Sequence, residues 1–135
     1  MCGTLKHEKR AIKLGQLVDV YAPLTGRLGR CAWSGHARRE KLDSYWYQND
    51  CVPVHLHVSS FVEQGWELWV PTGIIEGIGL KKDIWVGSNL IGTAKSVKIV
   101  TRPPLNEFEK KIHHRWPLVL TDNGPQSFTV KDIRS

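Results

Sequence analysis

A cysteine in the second position, in Met1-Cys2-Gly3, carries chemistry that no internal residue can copy. Removal of Met1 by an aminopeptidase, which the small Cys2 side chain permits, leaves an α-amine and a thiol on adjacent carbons. The amine titrates near ~8 and the thiol near ~8.5, so a useful fraction of each is nucleophilic at neutral pH. An aldehyde condenses first with the amine as a Schiff base. Attack of the thiol on the same carbon then closes a thiazolidine ring. A chain that keeps Met1 holds only an ordinary thiol at Cys2.

Acid–base groups are available to such chemistry. Glu76 interrupts the apolar run Val70-Pro71-Thr72-Gly73-Ile74-Ile75-Glu76-Gly77. A carboxylate buried there would be costly without a proton or a task, and burial would raise its pKa toward that of a general acid; a solvent-facing strand glutamate is the plain alternative. His113, in His113-His114-Arg115-Trp116-Pro117, follows an expected helix and titrates where neutral-pH proton transfer is feasible. Its plain alternative is a surface cap. Cys51-x3-His55-x-His57 places two histidines on one strand face, but no second ligand pair at zinc spacing accompanies them, so no metal is expected. No cofactor is implied. Tyr45-Trp46-Tyr47 beside Arg38-Arg39 suits either surface packing or stacking on unpaired bases.

The elements that must hold these groups are short. Glycine and proline punctuate segments rich in Val, Ile and Trp, a pattern that predicts many strands. These fall at 16–21, 29–33, 53–58, 67–71, 73–77, 84–86, 96–101 and 118–120. One helix is expected after Pro103-Pro104, with Leu105, Phe108 and Ile112 at helical spacing, Asn106 and Glu107 at its start and Lys110 and Lys111 near its end. Residues 38–47 form a second short helix or an exposed loop. The fold class is therefore α+β and β-rich, in a single domain over the 135 residues.

Nineteen Lys and Arg against thirteen Asp and Glu give a net charge of +6, which favours a polyanionic partner. No apolar run reaches the ~20 residues that span a bilayer, and no signal-peptide pattern opens the chain, so a cytoplasmic protein without a membrane partner is expected. The three cysteines, Cys2, Cys31 and Cys51, lack the spacing of a disulfide framework, in keeping with a reducing compartment.

Four blocks of this sequence resemble the SRAP family, the SOS-response-associated peptidases that crosslink abasic sites in single-stranded DNA. They are Met1-Cys2-Gly3, Ala22-Pro23-Leu24-Thr25, the segment ending in Glu76, and Ile99-Val100-Thr101 leading through a helix to Ile112-His113-x-Arg115-x-Pro117-Leu118-Val119-Leu120. The last is the most specific, and the gapped resemblance spans nearly the whole chain. It implies a mixed, barrel-like fold, thiazolidine formation on Cys2, proton shuttling by Glu76 during sugar ring opening, and assistance to Schiff-base chemistry by His113. The DNA-binding residues it implies are Gly3, Pro23, Trp46 as an aromatic wedge, His55, His57, Thr101 and Arg115. It further implies a monomer acting on abasic single-stranded DNA, located in the cytoplasm at the nucleoid, or in the host cell if virally encoded.

The chain departs from the family pattern in three ways. Thr4 stands where the family has arginine, and the chain is much shorter than a typical member. His55-Leu56-His57-Val58-Ser59-Ser60 aligns with the family's Asn-Ala-Arg-x-Glu-Thr, so His55 and His57 replace an asparagine near the sugar and an arginine on the DNA. Loss of those two residues points to a rival reading, a non-catalytic module that binds nucleic acid or protein. Retention of Cys2, Glu76 and His113 together points to the enzyme. A peptidase acting in trans, with Cys2 as nucleophile, is a third reading.

Overall fold

The computed structural model describes residues 4–23, 26–81 and 96–132. Hairpin strands β1 (Thr4–His7) and β2 (Arg10–Ile12) lead into β3 (Leu17–Ala22) and the long β4 (Arg27–Arg38). Three irregular helical turns follow, Arg39–Lys41, Leu42–Trp46 and Tyr47–Asn49, and then β5 (Cys51–His57), β6 (Ser60–Glu63), β7 (Trp66–Trp69) and β8 (Ile74–Leu80). Beyond residues 82–95 come β9 (Ser96–Arg102), the helix α1 (Glu107–Ile112), β10 (Trp116–Pro117), the pair β11 (Leu120–Thr121) and β12 (Gly124–Pro125), and β13 (Thr129–Asp132). Among the described residues no helix is long and apolar enough to cross a membrane.

Strands β9, β4, β3, β5 and β8 hydrogen-bond in that order, and β8 pairs back onto β9, so the sheet closes into a barrel. Every pairing in it is antiparallel except β4 with β9. Closure removes the edges that an open sheet would expose. Side chains alternate across the wall: Val18, Val20 and Ala22 of β3 and Val52, Val54 and Leu56 of β5 are buried, while Asp19, Tyr21, Pro53, His55 and His57 between them are half-buried on the outer face. A second antiparallel sheet, β13-β7-β6-β1-β2, adds Leu5, Ile12, Phe61 and Leu68 to the same core.

Two local devices shape the barrel. The β4–β9 register shifts between Trp33 and His36, a bulge at Ser34-Gly35 that carries Gly35 to φ +138° and sets His36 edge-on to the Trp33 ring. Gly77, beside Glu76 in β8, is fitted between β5 and β9. A Cβ there would lie 2.7 Å from the Lys98 carbonyl oxygen and would also collide with Leu56. Backbone cannot yield as a side chain can, so Gly77→Ala is expected to destabilise the fold by about 1–3 kcal/mol, read as a fall in the urea midpoint at unchanged slope.

Most expected strands are present, with boundaries shifted by a few residues; the one expected at 84–86 lies outside the described residues. At 118–120 the expectation needs correction. Strand pairing takes Trp116–Pro117 and Leu120–Thr121, whereas the buried Leu118 between them donates its N–H to Val100 and accepts that of Glu76. Of the three apolar residues at helical spacing, Ile112 packs against the core, Phe108 is exposed but meets the Trp66 ring at 5.0 Å, and Leu105 is exposed ahead of the helix; the buried helical residue is Glu109. Arg102, itself fully buried at the end of β9, requires a carboxylate, and Glu109 meets it through two contacts of 2.7 and 3.1 Å. Asn106 does cap the helix, accepting the Glu109 N–H at 2.9 Å.

Candidate active site

Antiparallel register between β5 and β8 sets His55 directly opposite Glu76. Both point outward from the barrel wall, since their neighbours Leu56 and Ile75 are fully buried inside it. His55 Nε2 lies 3.2 Å from Glu76 Oε2, with 29 % and 20 % of the two side chains exposed. Burial pushes the Glu76 carboxyl above its ordinary pKa, and the facing imidazole pulls the other way. Strand β3 brings the Tyr21 ring to 6.1 Å from that of His55. From the helical turns, Tyr47 lies close enough for the Glu76 charge to help raise its phenol pKa, after the larger effect of burial. The result is a carboxylate and an imidazole in proton-transfer reach, half-buried and open to solvent on one side.

His57 lies two residues along β5, on the same face, with its ring 6.2 Å from His7. His7 approaches Asp19, and Asp19 accepts from Arg30 at 3.0 Å. Cys51, His55 and His57 therefore engage different neighbours, and among the described residues no group of three His, Cys, Asp or Glu is placed to hold a metal ion.

His113 caps α1 in an extended conformation. Its Nδ1 lies 3.1 Å from the Arg115 backbone nitrogen and 3.2 Å from the Arg115 carbonyl oxygen, accepting from the one or donating to the other according to the tautomer. Burial lowers its pKa, and the His114 ring stacked at 4.5 Å adds to the effect while Glu63 opposes it. Sequence reasoning missed His36, a half-buried ring whose pKa falls to about 4 through burial, with Lys98 and His113 among the charges that lower it further. Its Nε2 is buried without a hydrogen-bond partner. The only signal in the sequence was the Gly35 that makes the bulge.

Several expected DNA contacts need correction. Thr101 is buried, its hydroxyl and carbonyl both taking the Arg115 guanidinium. Arg115 also makes a two-point contact with Glu40 at 2.8 and 2.9 Å, and this pair ties the first helical turn to the end of β9. Neither Thr101 nor Arg115 is presented to a phosphate. Trp46 is partly buried against Ala37, Ile78, Val100 and Leu118, which makes it an anchor and not a wedge. The exposed rings are those of Tyr47 and of Tyr45, which stands edge-on to Trp46 at 4.9 Å. Tyr45 borders a groove of about 580 Å³ lined also by Trp46, His36, Arg38, Lys41 and Ser44. Pro23 is exposed in the turn after β3. Cys2 and Gly3 lie outside the described residues, as do Leu24 and Thr25.

The two described cysteines are poor nucleophiles. Cys31 is fully buried in the core, and burial pushes the half-buried Cys51 thiol up. Comparison of the chain with protein-family models, with curated proteins and with solved structures finds no match.

Proposed function

We propose that this protein binds single-stranded DNA and captures the aldehyde of an abasic site on an N-terminal Cys2, as a thiazolidine, with Glu76 and His113 moving the protons. The observation that carries this reading is the His55–Glu76 pair. A half-buried carboxylate with a raised pKa faces an imidazole at 3.2 Å on an open wall. Ring opening of a sugar hemiacetal needs such a group, because a proton must leave the hydroxyl and another must reach the ring oxygen. A closed β-rich barrel agrees with the fold that the SRAP resemblance implies. Cys31 and Cys51 offer no activated thiolate, which leaves the nucleophile to Cys2. The test is the intact mass of the purified protein before and after incubation with an abasic single-stranded oligonucleotide. A mass lacking one methionine, then increased by that of the oligonucleotide, is the result expected.

The DNA would lie along the groove between Tyr45 and the exposed cations Arg38, Arg39 and Lys41, with a base stacked on the tyrosine. Because counterions are released from each neutralised phosphate, log affinity should fall linearly with log salt, with a slope of about −0.7 per contact. Anisotropy titrations across a salt series check this. Salt-independent binding, or none at low salt, would remove the groove from the reading.

One observation favours the rival, a non-catalytic module. Thr101 and Arg115, expected on the DNA, are tied to one another and to Glu40 inside the protein. A protein that binds the oligonucleotide but never gains its mass would be that module.

A further inference from the structure

The resemblance gives Glu76 a task but leaves His55 as a stand-in for a hydrogen-bonding amide. The geometry offers more. The two groups are registered partners on neighbouring strands of a closed barrel, so the backbone ladder holds their separation. Both are partly exposed on the same side, so one small ligand can touch both at once. The groups near the pair come from separate elements: Tyr21 from β3 and Tyr47 from the helical turns, with His57 two residues beyond His55 on the same face of β5.

From this juxtaposition, and resting on the proposed abasic-sugar substrate, we infer that His55 and Glu76 act as one bifunctional proton-transfer pair that opens a cyclic hemiacetal, His55 being a second acid–base residue. The pair starts with one proton, on His55. Glu76 takes the proton of the anomeric hydroxyl as its carbonyl forms, the bond from the anomeric carbon to the ring oxygen breaks, and His55 gives its proton to that oxygen. Glu76 is then protonated and His55 neutral. Transfer across the 3.2 Å between them restores the starting state, so no proton is gained or lost overall.

The test separates ring opening from capture. In a Cys2→Ala background, where no thiazolidine can form, the released aldehyde is trapped with an aminooxy reagent on an abasic oligonucleotide. The protein is expected to accelerate trapping with a bell-shaped pH profile. His55→Asn, which keeps a hydrogen-bonding side chain, is expected to lose on the order of 10²-fold of that acceleration and one limb of the bell, measured at saturating protein so that any change in DNA affinity does not enter. An unchanged rate and profile in His55→Asn would overturn the inference, as would a Cys2→Ala protein that does not accelerate trapping. His55→Gln gives a second readout in case that variant misfolds: a folded His55→Gln protein that keeps the full acceleration also overturns the pair. Wild-type protein that accelerates trapping yet never forms an adduct would leave the pair standing and sink the capture reading alone.

Discussion

Cys2→Ala is expected to eliminate the heat-stable adduct with a single-stranded oligonucleotide carrying one abasic site, whereas Cys31→Ala and Cys51→Ala are expected to retain it. The reason is connectivity. A thiazolidine needs amine and thiol on one residue, and only an N-terminal cysteine supplies both. Cys2→Ser keeps the amine, so it should form a reversible Schiff base that borohydride traps, without closing a heat-stable ring of the same kind. Cys31 is fully buried, so its substitution is read against a stability control, and Cys51 carries a thiol that burial has made less acidic. A denaturing gel shows the outcome as a shifted band. If the band survives in Cys2→Ala, or vanishes only in Cys51→Ala, the chemistry lies elsewhere and the role given to the N-terminus is wrong.

Glu76→Gln should slow adduct formation by on the order of 10²–10⁴-fold while leaving DNA affinity nearly intact. Gln preserves the shape and still hydrogen-bonds to the His55 ring, but it cannot carry a proton. Burial raises the Glu76 carboxyl pKa in the wild type, so the rate should lose a limb of its pH dependence when the group is removed. Single-turnover rates at saturating protein, set beside anisotropy affinities, separate the two effects. Equal losses in rate and affinity, or no loss in either, would return Glu76 to the status of an ordinary outward-facing strand residue.

Period-two alternation in β3 and β5 was legible from residue types, because a half-buried strand must present Val and Leu to one side and polar groups to the other. So was Asn106 as a cap, since its side chain answers a backbone donor only a turn away. Those signals are local. They also pointed to Glu76, a carboxylate whose apolar neighbours made it conspicuous in one dimension. Closure of the barrel was not legible, because alternation looks the same in an open sheet, and the parallel pairing of β4 with β9 joins segments distant in the chain.

What only the tertiary structure decided is which residue meets which. His55 faces Glu76 because the β5–β8 register sets them opposite; a slip of one residue would turn one of them into the core. The same holds for the buried charges. Helical spacing alone picked out Leu105, Phe108 and Ile112, but Arg102 had already been carried into the core by β9, and an unpaired buried guanidinium costs more than two exposed apolar side chains. Arg115 was read as a hand for DNA and is instead clasped by Glu40 and Thr101, partners that no spacing rule connects to it. Residue type along the chain determined what chemistry this protein could do and which faces its strands present; register and burial decided which of those groups are left available to do it.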